Sequence, residues 1–198
     1  MSQTDFFAAV QALKNGEVII YPTDTLYALG ADIYNEQAVR RVFEIKKRPL
    51  SQPLSVAVAT IEDVTTIAHV NTTALKIMRC FLPGTLTVVL KKKPSVPDSI
   101  TSGLGNIAVR IPQNAMALDL LSRYGPLTVT SANMHDKKPP YVIKGILMQL
   151  KTKISVCLDD GRLDGQPSTI VDLTSSQPII IRKGQITERQ LLDAIHHE

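Results

Sequence analysis

Hydroxyl, amide and cationic side chains interrupt the hydrophobic pattern at three places: Tyr21-Pro22-Thr23-Asp24-Thr25, Lys46-Lys47-Arg48-Pro49 and Ser131-Ala132-Asn133. Each follows a segment whose pattern predicts a strand or a helix. In α/β proteins such ends form the rim of the crevice where ligands bind. Arg48 offers a planar fork and Lys46 a point charge, both suited to phosphate oxygens. Ser131 and Asn133 flank a small residue, which lets hydroxyl and backbone approach a ligand. Two cations and several neutral hydrogen-bonding groups, with no evident nucleophile or metal cluster, point to a phosphorylated anion.

Plainer readings apply to the same residues. Pro22, Thr23 and Asp24 favour turns by local hydrogen bonding. Cations in the last helical turn complement the helix dipole by about 0.3–1 kcal/mol without any ligand. Arg110 stands inside the apolar run Ile107-Ala108-Val109-Arg110-Ile111, where an unpaired charge is costly. A substrate carboxylate or an internal Asp would pair it equally well. Ser168-Thr169 and Arg182 fall at the ends of a predicted hairpin, where polar residues are ordinary. No G-x-x-x-x-G-K-[ST] or G-x-G-x-x-G occurs, and Pro83-Gly84-Thr85 is too Pro-rich for a phosphate loop.

The elements that must position these residues follow from the pattern. Thr4 reads as the N-cap of a helix with Phe6, Phe7, Val10 and Leu13 on one face, stopped by Gly16. Val18 to Tyr21 is a continuous apolar run, the mark of a strand covered on both sides. Asn35 caps a helix with Val39, Val42 and Phe43 buried, ended by Pro49. Leu54–Ala59, Leu86–Leu90, Ile107–Ile111, Leu127–Thr130 and Ile154–Leu158 read as strands. Thr60 with Asp63, Asn71 and Asn114 read as helix starts. A helix is predicted over Tyr141–Lys151 and another from near Thr187. Ser168–Leu173 and Ile179–Arg182 read as a hairpin, which makes the sheet mixed. The expectation is a single α/β domain over residues 1–198, with about seven strands in one twisted mixed sheet and helices on both faces.

Composition sets the outer bounds. The chain has 198 residues, 44% hydrophobic and 20% charged, ordinary for one soluble domain. No apolar run approaches the roughly 18 residues of a membrane span. Met1 to Asp5 lacks a secretory pattern, which predicts a cytosolic protein. Cys80 and Cys157 read as buried reduced thiols, and His196-His197 as a frayed helix end. A net charge of +4 permits a nucleotide or RNA partner without demanding one. Aromatic residues are 5% and Trp is absent, which argues against base-stacking platforms.

Seven pieces, in this order, resemble the YrdC-like family of threonylcarbamoyl-AMP synthases in its short form. They are Tyr21–Thr25 with Leu29-Gly30, Lys46–Pro49 with Pro53-Leu54, Leu82-Pro83-Gly84 with Leu86-Thr87, Val109–Pro112, Ser131–Asn133, Ser168–Asp172 and Arg182–Gly184. The resemblance implies a large basic cavity on a twisted mixed sheet. It implies condensation of L-threonine, bicarbonate and ATP, carried with Mg²⁺, to threonylcarbamoyl-AMP and pyrophosphate. A separate tRNA threonylcarbamoyl transferase complex would then use the product. By motif, Thr23, Arg110 and Ser168 fall where threonine is held. Lys46, Arg48, Ser131, Asn133 and Arg182 fall where ATP is held, with Lys46 and Arg48 as the catalytic cations. The motifs contain no protein metal ligand. The chain departs from the pattern at Ala57, where many members have histidine, and at Asn106, where threonine is common. Met134–Lys138 is also one residue longer and more basic than usual. Two other readings go with the resemblance: an RNA-binding protein without this activity, and a diverged relative acting on another carbamoyl substrate.

Overall fold

A computed structural model describes residues 3–196. The first helix, α1 (Gln3–Lys14), buries Ala9, Ala12 and Leu13. Thr4 lies inside it and is not its cap. Phe7 falls on the flank of the buried stripe and is 65% exposed, against the expectation. Gly16, at φ +75°, ends the segment as its left-handed freedom allows.

The apolar run then forms β1 (Ile19–Tyr21). Ile20 and the preceding Val18 face one core while Ile19 and Tyr21 face a second, which is why every position is apolar. β1 pairs with β2 (Ala28–Gly30), a strand the sequence pattern did not reveal. Next come α2 (Glu36–Lys46), β3 (Ser55–Ala57), α3 (Ile61–Ile67), β4 (Ala68–His69) and α4 (Thr72–Phe81). β5 (Leu86–Lys92), the one-turn α5 (Asp98–Thr101), β6 (Asn106–Arg110) and α6 (Ala115–Tyr124) follow. The predicted caps Asn35, Thr60, Asn71 and Asn114 each accept a backbone N–H with the side chain, and Thr60 and Asp63 form a reciprocal box. Such a cap contributes about 1 kcal/mol.

The predicted strand Leu127–Thr130 divides into β7 (Leu127–Thr128) and β8 (Thr130–Ser131), which belong to different sheets. Helix α7 (Ile143–Leu150), the hairpin β9 (Thr169–Asp172) and β10 (Ile179–Arg182), and α8 (Glu188–His196) complete the order. Residues 154–158 form no strand; they make one bridge, Ile20 with Cys157. His197 lies outside the described residues. Both cysteines are free, but Cys80 is exposed, off the stripe by which α4 buries Ala74, Ile77 and Met78, and Cys157 is half-buried. No described helix is long and apolar enough to cross a membrane.

The fold is thus α/β and mixed, with two sheets where one was expected. The larger runs β10-β9-β5-β6-β3-β7, with β4 beside β5; β3–β6 and β5–β9 are parallel. The smaller runs β1-β2-β8. Tyr21 donates its hydroxyl to the Thr128 carbonyl, and Thr128 donates to Leu29 O and accepts from Ala31 N. These bonds fasten the two sheets where the chain crosses between them.

Alternation along the larger sheet places the site. Val56, Leu86, Val88, Leu90, Ile107, Val109 and Val171 point into one core. Their neighbours Ser55, Thr87, Val89, Ala108, Arg110 and Ile170 point the other way and floor a cavity.

Candidate functional site

The cavity is about 460 Å³, within the ordinary range for ligand sites. It lies between the two sheets. Its charged lining residues are Arg48, Arg110 and Arg182, and its hydroxyl groups come from Thr23, Thr25, Ser55, Thr87, Thr130, Ser131 and Ser168, with Tyr27 on one wall. Six of the residues expected from sequence, namely Thr23, Arg48, Arg110, Ser131, Ser168 and Arg182, therefore share one space. Lys46 and Asn133 do not line it.

Lys46 sits behind the wall, 2% exposed. Its ammonium donates to Ser131 O at 2.5 Å, Asn133 O at 2.9 Å and Asn133 Oδ1 at 3.3 Å. The lysine thus braces the Ser131–Asn133 loop from beneath. Burial, with the Arg48 charge nearby, pushes it down to about 7. The spacing Val39, Val42, Phe43, Lys46 is the i, i+3, i+4, i+7 stripe of α2, so its burial was readable in the sequence. Asn133 extends the brace by donating to Met134 O and Lys137 O, and Ser131 donates its hydroxyl to Asn133 Oδ1.

Helix α2 closes with Lys47 in the left-handed region at φ 53°, and Arg48 N bonds back to Phe43 O. That turn swings Arg48 to the cavity. Its Nε donates to Gln52 O and its NH2 to Pro53 O. The other guanidinium hydrogens have no protein partner among the described residues. Burial lowers the Arg48 pKa, and Asp136 opposes that shift.

The open question over Arg110 is settled by an internal carboxylate. Arg110 NH2 bonds Asp24 Oδ1 at 2.5 Å and Gly84 O at 3.2 Å, while NH1 bonds Thr25 Oγ1 at 3.2 Å. Asp24 Oδ2 and Arg110 Nε remain buried without partners. Burial lowers Arg110, and the Asp24 charge opposes that shift. Thr23 is engaged in its own turn: its hydroxyl accepts from Thr25 N and Leu26 N and lies 2.6 Å from Leu26 O.

Arg182 stands at the far wall. Its Nε and NH2 both donate to Ser168 O, and NH2 also to Ser168 Oγ. NH1 has no protein partner among the described residues. Burial lowers Arg182, and the nearby Arg110 adds to that shift. Gly184 lets the chain pass here: a Cβ at this position would lie 2.7 Å from Pro167 O and 2.8 Å from Ser168 C.

Residues 11–184 match the family model of the Sua5, YciO and YrdC proteins, described as "Telomere recombination". The chain belongs to this family. It is 39% identical over 180 residues to a putative threonylcarbamoyl-AMP synthase of Methanocaldococcus jannaschii, covering 90% of this chain and 85% of that one. It is 36% identical to the threonylcarbamoyl-AMP synthase of Pyrococcus abyssi, where it spans only 52% of the relative. The crystal structure of P. abyssi Sua5 complexed with L-threonine matches with a TM-score of 0.92 at 34% identity, covering 99% of this chain and 58% of that one.

In this Sua5/YciO/YrdC protein, only Thr23 of the Tyr21–Thr25 stretch is assigned a ligand from sequence, yet Asp24 and Thr25 hold Arg110. Thr87, named only within a motif on a predicted strand, lines the cavity. The signal for Thr87 was alternation: Thr87 and Val89 share a face, as do Ala108 and Arg110, and Ser168 and Ile170.

Proposed function

We propose that this protein is a threonylcarbamoyl-AMP synthase. The observation that carries the reading is one cavity holding two guanidiniums, Arg48 and Arg182, with uncommitted N–H donors. A third, Arg110, is fixed by a buried carboxylate beside a cluster of hydroxyls. The names of the M. jannaschii and P. abyssi relatives, and the threonine in the P. abyssi Sua5 structure, support it. In this reading L-threonine occupies the end built by Thr23, Arg110 and Ser168. ATP lies toward Arg48, Ser131 and Arg182, with Lys46 and Asn133 holding the Ser131 loop in place.

Bicarbonate releases carbon dioxide and hydroxide; the threonine amine attacks the carbon dioxide and yields a proton to that hydroxide as water, giving a carbamate. A carbamate oxygen then attacks the α-phosphorus; the bond to the β-phosphate oxygen breaks and pyrophosphate leaves. Among the described residues no histidine or carboxylate lines the cavity, and in this reading catalysis rests on positioning and on charge stabilisation by the arginines. Among the described residues the lining offers no carboxylate to a cation. Mg²⁺ would come with ATP and not from protein ligands, and it would offset the charge of the leaving pyrophosphate. The product serves a tRNA threonylcarbamoyl transferase in the cytoplasm. The test is to incubate the purified chain with ATP, L-threonine and ¹³C-bicarbonate. The reading requires threonylcarbamoyl-AMP carrying ¹³C at the carbamoyl carbon by mass spectrometry; unlabelled ATP alone would refute it.

A further inference from the structure

Thr87 and Ser168 face each other across the cavity floor, their hydroxyl oxygens 2.8 Å apart. Thr87 is 2% exposed and Ser168 3% exposed, yet both line the cavity. Arg182 NH2 donates to Ser168 Oγ at 3.1 Å. Two hydroxyls carry two hydrogens, and a single bond between them uses one. If Ser168 donates to Thr87, the Thr87 hydrogen has no acceptor among the described residues. If Thr87 donates to Ser168, the Ser168 hydrogen has none. Thr87 also keeps a lone pair in either arrangement. Buried donors are rarely left unpaired, because the missing bond is expensive. The pair is therefore matched to a group that both accepts and donates a hydrogen bond, which describes another hydroxyl. Val89, Ala108 and Ile170 on the same sheet face supply apolar contact around it.

We infer that Thr87 is a specificity-determining residue that, with Ser168, binds the side-chain hydroxyl of the amino-acid substrate. The inference rests on the synthase reading above and adds to it the reason for choosing a hydroxylated amino acid. A buried site built to bond a substrate hydroxyl rejects the analogue lacking it by about 10⁴-fold or more, whereas apolar contact alone discriminates by only about 10–200-fold.

The test compares L-threonine with L-2-aminobutyrate, which lacks only the hydroxyl, in pyrophosphate release by the wild type, Thr87→Val and Thr87→Ser. The expected result is that the threonine to 2-aminobutyrate ratio of kcat/KM falls at least tenfold in Thr87→Val and is retained in Thr87→Ser. Thr87→Ala serves as a second hydroxyl-free variant should valine disturb the strand. An unchanged ratio in both hydroxyl-free variants, with the wild type active, would overturn the assignment and leave the synthase reading standing. Equal loss with both amino acids would also overturn it, since the pair would then hold the shared carboxylate. A wild type inactive with threonine would refute the synthase reading itself and this assignment with it.

Discussion

The Arg110 guanidinium is clamped by the Asp24 carboxylate at 2.5 Å, with the two side chains only 6% and 10% exposed. Removing one partner of a buried pair leaves the other charge uncompensated, at about 3–5 kcal/mol. We expect Asp24→Asn to lower the melting temperature by roughly 2–4 °C per kcal/mol lost and to raise the KM for threonine. Asp24→Asn with Arg110→Gln should be more stable than the sum of the single changes. A double-mutant cycle by calorimetry checks this, and strict additivity would show that the pair is not coupled.

Lys46 gives a pH dependence of stability. Its pKa lies near 7 in the folded chain against 10.5 when unperturbed. Below pH 7 it is charged in both states, and the penalty of burying the charge is fully present. Between about 7 and 10.5 the folded lysine releases its proton while the unfolded one keeps it, so stability climbs with pH. Lys46→Met should lose that climb. Chemical denaturation of both proteins from pH 6.5 to 9.5 measures it; parallel curves would contradict the burial argument.

Arg48 is half-buried and bonds only backbone carbonyls, so its loss should spare the fold. Arg48→Ala is expected to reduce adenylate-forming turnover by about 10²-fold or more, the scale of losing a donor to developing charge. The melting temperature should shift by the worth of one or two hydrogen bonds, about 1–2 kcal/mol. Near wild-type turnover would remove Arg48 from the nucleotide site.

Gly184→Ala should damage the site from a distance. The added methyl would collide with the backbone of Pro167, Ser168 and Thr169, which cannot yield as a flexible side chain does. We expect at least a tenfold loss in kcat/KM with a modest drop in stability. Unchanged kinetics in the folded variant would mean that the Ser168 segment tolerates displacement.

Long elements with strong caps were legible in the sequence, and short ones were not. Asn35, Thr60, Asn71 and Asn114 mark helix starts through a local mechanism that needs no tertiary context. β2 is three residues long and contains Gly30, whose missing side chain admits the Tyr21 ring; no local pattern announces it. The crossing of Leu127–Ser131 between sheets depends on Tyr21 and Thr128, 107 positions apart. Residues 154–158 have strand-like composition but find only one pairing partner. At the site, ordered motifs named eight residues, six of which line one cavity, while tertiary contacts decided their partners. Lys46 falls on the buried stripe of α2, and where its motif implies a nucleotide contact the structure makes it a brace behind the cavity wall. Arg110 reads as a charge in need of a partner, and its partner is Asp24.

Pyrophosphate release from ATP by the purified protein, with each substrate omitted in turn, decides whether this chain forms an adenylate from threonine. A synthase releases pyrophosphate only when L-threonine and bicarbonate are both present, and loses that release in Arg48→Ala. Release without threonine, or none from folded protein that binds ATP, would rule out the synthase activity.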